Sequence, residues 1–73
     1  MDAFEGKLRQ TFPDLDLSRD ILSQLSSISI VTLIVEIESF HGIEIHPMEV
    51  EKENFSSYAA VQSFIERKKN GRR

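Results

Sequence analysis

Two adjacent hydroxyl groups, Ser26 and Ser27, stand where the chain turns from a mixed loop into its most apolar run, Ile28 to Phe40. Hydroxyls at the start of a helix do two kinds of work. They cap free backbone N–H groups, and they can hold an anionic group where the helix dipole favours negative charge. No cysteine is present to act as a nucleophile or thiolate ligand. His41 and His46 lie five apart with Glu44 between them, and they lack a third good metal ligand at sensible spacing. Asp14, Asp16 and Asp20 have neither the turn glycine nor the closing glutamate of a calcium loop. Serine-histidine-aspartate catalysis would need a pocket that so small a chain can hardly enclose. The serine pair is therefore the chemically informative feature, and no metal site is expected.

The element that positions it is a helix. Ile, Val and Thr are frequent in Ile28 to Ile37 and favour strands. The run is too long for one strand, however, and Ile30, Leu33, Ile34, Ile37 and Phe40 recur at three- and four-residue spacing. Ser26 suits the N-cap, and Gly42 suits the C-terminal stop. Ile28, Val31 and Val35 form a second, flanking stripe, which neighbouring helices or a docked partner must cover.

Asp2 to Thr11 reads as a first helix, capped by Asp2 and ended by Phe12-Pro13, with Phe4 and Leu8 on one face. Pro13 to Leu25 reads as a long connection anchored by Leu15, Leu17, Ile21 and Leu22, with one turn at Ser18–Leu22 capped by Ser18. Gly42 to Pro47 alternates like a strand but has no partner strand. It is expected as an extended loop with Ile43 and Ile45 inward. Pro47 to Phe55 should hold one or two short turns, with Lys52–Phe55 the better placed. A last helix follows, about Ser57 to Lys69, capped by Ser56 or Ser57. Ala60, Val61, Phe64 and Ile65 face inward, Tyr58 sits near its start, and Asn70-Gly71 ends it.

Seventy-three residues make one domain, and a chain this short buries only about 60–65% of its unfolded surface. Nothing is apolar enough for a membrane span or a signal peptide, so a cytoplasmic, free-standing monomer is expected, ordered over about residues 2–69 with a basic tail at 70–73. The net charge of −3 hides a division. Residues 1–66 carry all twelve acidic residues against four basic ones, a balance of −8. The last seven residues hold Arg67, Lys68, Lys69, Arg72 and Arg73, a balance of +5. An acidic body argues against nucleic acid and suits docking onto enzymes with basic surfaces. The basic end complements a helix C-terminus, and its final residues are expected to fray.

The order of features resembles the acyl carrier protein family, with its peptidyl and aminoacyl carrier domains. It runs from a short helix through a leucine-anchored loop to Leu25-Ser26-Ser27-Ile28-Ser29. A long apolar helix follows, then Phe40-His41-Gly42-Ile43-Glu44-Ile45, a proline, Glu53-Asn54-Phe55-Ser56-Ser57 and a final amphipathic helix. The resemblance covers about Phe4 to Lys69. It implies an all-α four-helix bundle with a short third helix. Ser27 matches the serine that receives phosphopantetheine from coenzyme A, whose thiol holds acyl or aminoacyl cargo as a thioester. The implied partners are a phosphopantetheinyl transferase, an acyl- or aminoacyl-activating enzyme, and a downstream synthase or transferase. These would dock on Ser26, Ile28, Val31 and Val35, and the chain itself would not be an enzyme. The family's signature has Asp before the modified serine, whereas this chain has Ser26. Capping survives that exchange and the negative charge does not. The alternative is a carrier-like helical interaction module that is never modified.

Overall fold

The computed structural model describes residues 2–71. Three α-helices form, α1 (Ala3–Thr11), α2 (Ser27–His41) and α3 (Tyr58–Asn70). Single 3-10 turns lie at Leu22–Gln24 and Pro47–Glu49, and there is no strand among the described residues. The chain is thus all-α, but with three α-helices where four were expected. In place of a short third helix stand the Pro47–Glu49 turn and a second turn at residues 52–55. The reason is local. Pro47 can start a turn but Val50 leaves helical geometry at φ −84°, ψ 78°, and Phe55 must reach the core a few residues later, where it is fully buried.

Each helix begins on a side-chain cap. Asp2 accepts from the Glu5 N–H at 2.7 Å, Ser26 from Ser29 at 3.2 Å and Ser57 from Ala60 at 3.2 Å. Gly42 closes α2 in the left-handed region at φ 66°, which only a residue without a Cβ adopts cheaply. Removing the Ser26 hydroxyl leaves the Ser29 N–H without its acceptor. Ser26→Ala should therefore lower stability by about 1 kcal/mol, a fall in Tm of roughly 4–8 °C for a domain of this size. Thermal unfolding followed by circular dichroism checks this.

The core joins Phe4 and Leu8 of α1, Leu33 and Ile37 of α2, and Tyr58, Val61, Phe64 and Ile65 of α3. Ile21, Ile43, Ile45 and Phe55 enter it from the connections. Two expectations need correction. Phe40 is not on the buried stripe; it is 45% exposed and leans on Phe4, ring centroids 5.0 Å apart. The one helical turn in the long connection among the described residues falls at Leu22–Gln24, and Ser18 caps no helix there. The Ser18 N–H and hydroxyl instead both bond the Asp16 carboxylate. Gln24 ties that connection together, accepting from the Asp16 N–H and donating to the Asp16 and Asp20 carbonyls. Backbone bonds from Ile21 to Phe55 and from Tyr58 to Leu17 fasten it to the segment ahead of α3. Arg72 and Arg73, part of the basic tail, lie outside the described residues.

Candidate functional site

Ser27 is the first helical residue of α2 and is exposed. Its neighbour Ser26 takes the cap, so no hydrogen bond occupies the Ser27 hydroxyl among the described residues. The first-turn N–H groups not reached by Ser26 point out of the helix start, and no acidic side chain lies in that turn. An anion attached to Ser27 would therefore meet free donors and the positive end of the dipole.

Helical spacing puts Ser27 on one side of α2 with Ile30, Val31 and Ile34. Ile30, Val31, Ile34 and Val35 line one wall of a groove of about 280 Å³. Ile45, Pro47 and Val50 line the other wall, and every lining side chain is apolar. Ile28, Val31 and Val35 are 80%, 62% and 53% exposed, so the flanking stripe is surface rather than core. Met48, 84% exposed, lies in the turn that forms the second wall and extends the apolar surface. Ser26, Ser27, Ile28, Val31 and Val35, expected from the sequence to work together, lie at one end and on one face of α2. The opposing wall was not expected, because little in residues 47–50 announces that this segment packs alongside α2. The one available signal was apolar Met48 and Val50 bracketing an acidic residue in a proline-started turn.

A second cavity, about 200 Å³, lies at the other pole, between the start of α1, the end of α2 and α3. There the Asp2 carboxylate accepts from Glu5, Tyr58 and Gln62, which holds its pKa below the usual carboxylate value. Tyr58 is pushed upward by burial and by Asp2. His41 lines this cavity, stacks edge-on against Phe4 at 4.8 Å, and has Nε2 buried without a partner among the described residues. A cation is favoured at a helix C-terminus, yet burial, helped by Lys69, moves the His41 pKa down. The unfolded chain takes up this proton more readily than the folded one, so stability is full above a pH of about 6.5 and declines as the pH falls below it. The depressed carboxylates Asp2, Asp16 and Glu49 add their own loss only nearer pH 4. Between about pH 7 and 5 the Tm should fall, and fall less in His41→Gln. Parallel scans of the two proteins check this.

No three metal-ligating side chains cluster among the described residues, and none of the described helices is long and apolar enough to cross a membrane. Comparison with protein-family models, with curated proteins and with solved structures finds no match.

Proposed function

We propose that this chain is a carrier of the acyl carrier protein type, modified with phosphopantetheine on Ser27. The observation that carries the reading is an exposed, unengaged serine hydroxyl at the first residue of α2, on the same side of the helix as an all-aliphatic groove. In this reading the Pro47–Phe55 segment stands where the family's short third helix would be. The Ser27 oxygen attacks the pyrophosphate phosphorus of coenzyme A that bears the pantetheine, and the bond to the nucleotide phosphate breaks. Adenosine 3′,5′-bisphosphate leaves, and the serine proton passes to a base of the partner transferase. The group so attached supplies a thiol that holds cargo as a thioester. The chain's own residues bind and present; they catalyse nothing. Exposed Ile28, Val31 and Val35, with Ser26 at their head, offer modest apolar contact that lets successive enzymes exchange. The groove supports an aliphatic acyl cargo over a polar aminoacyl one, since no lining residue could pair an ammonium group.

Incubation with coenzyme A and a broad-specificity phosphopantetheinyl transferase, followed by peptide mapping, tests the assignment. The added group is expected on Ser27, and finding it on Ser26 would contradict the site. The second reading is an unmodified interaction module that uses the same exposed face. The absence of any acidic side chain in the first turn of α2 favours it, and it requires that no group be added at all. A salt titration against duplex DNA is expected to show no affinity even at low ionic strength.

A further inference from the structure

Beyond Ile45, the second wall of the groove has no hydrogen bond to the helix it faces among the described residues. Between Pro47 and Asn54 no hydrogen bond among the described residues reaches α2; the contact nearest in sequence is Ile45 N–H to Glu38 at 2.8 Å. The wall is fastened instead to the far end of α3. Lys68 Nζ donates to both carboxylate oxygens of Glu49, at 2.9 and 3.1 Å, and both side chains are largely shielded. The same carboxylate accepts from the His46 N–H at 2.9 Å, which holds the turn in shape. Arg67 bonds Asn54 Oδ1 at 2.8 Å, and Asn54 donates back to the Glu49 carbonyl at 3.0 Å. Two cations of α3 thus grip the ends of one short segment. Val50 lies inside that grip and Pro47 just ahead of it, in the turn that the His46–Glu49 bond closes, and both line the groove.

We infer that the Lys68–Glu49 clasp, backed by Arg67–Asn54, sets the width of the groove and so limits the length of aliphatic chain it accepts. The inference rests on the carrier reading for its biological meaning: the occupant is the aliphatic part of a cargo tethered at Ser27. A part-buried ion pair of this kind can shift the position of the wall by at most about fivefold in population. It is also weak enough for the wall to yield when a partner enzyme draws the cargo out.

The test needs no modification of Ser27, so its failure and failure of the carrier reading are separable. Straight-chain alcohols from butanol to decanol are titrated into the full chain while the methyl signals of Ile30, Val31, Ile34, Val35, Ile45 and Val50 are followed by NMR. Affinity should rise about fourfold per added methylene until the groove is full, then stop rising. In Lys68→Met, and separately in Glu49→Gln, that limit should move to longer alcohols. Lys69→Met removes the neighbouring charge, which takes no part in the clasp, and should keep the original limit. Spectra without alcohol establish that each variant is folded. The same limit in all four proteins would overturn the inference, and so would the absence of saturable shifts at the groove methyls of the unaltered chain.

Discussion

Phe55→Ala is expected to destabilise the protein by about 3–5 kcal/mol, with Ile37→Ala close behind at about 2–5 kcal/mol. Both side chains are fully buried. Phe55 stacks near Phe64, ring centroids 5.8 Å apart, and its carbonyl accepts from the Ile21 N–H at 2.9 Å. It therefore joins the long connection, the groove wall and α3 at one point. Ile37 occupies the middle of the α2 face that meets the rest of the core. Domain stability of about 0.05–0.15 kcal/mol per residue leaves a chain of this length little reserve, so either substitution removes a large share of it. Urea unfolding should show a lower midpoint at an unchanged slope. A loss below about 1 kcal/mol at Phe55 would mean that the segment ahead of α3 does not enter the core.

Ser27→Ala is expected to behave in the opposite way. Its hydroxyl bonds nothing among the described residues, and the cap belongs to Ser26. Unfolding should therefore stay within about 0.5 kcal/mol of the unaltered chain, as for an ordinary surface change. Incorporation of phosphopantetheine, by contrast, should fall to nothing. The contrast with Ser26→Ala is diagnostic, since that change removes stability and leaves the reacting hydroxyl. A structural Ser27 would reverse the pair, with a drop in Tm at Ser27 and none at Ser26.

The helices were legible because their signals are local. Asp2, Ser26 and Ser57 cap by bonding an N–H three residues on, and Gly42 ends α2 by its own backbone freedom. The stripe Leu33–Ile37 and the faces of α1 and α3 are likewise properties of neighbours in sequence. The missing third helix and the Ser18 turn have local causes, in the backbone of Val50 and in Asp16, whereas the other failures involve partners distant in the chain. Phe40 fits the three-residue spacing from Ile37, but the packing of α1 leaves it leaning on Phe4 at the edge of the core. Gln24 looks like any loop glutamine, and only the folded connection brings the Asp16 and Asp20 carbonyls to it. The serine end of the candidate site was readable and its opposing wall was not. Pro47 and Val50 become groove residues through Glu49 meeting Lys68, nineteen positions away.

Modification of Ser27 is decided by the intact mass of the full chain after incubation with coenzyme A and the transferase, run beside Ser27→Ala and Ser26→Asp. One phosphopantetheine is expected on the unaltered chain, none on Ser27→Ala, and faster addition to Ser26→Asp, where the family's charge is restored. Failure of both the unaltered chain and Ser26→Asp to gain mass, with the protein folded, would contradict the carrier reading and leave the exposed face of α2 as that of an interaction module.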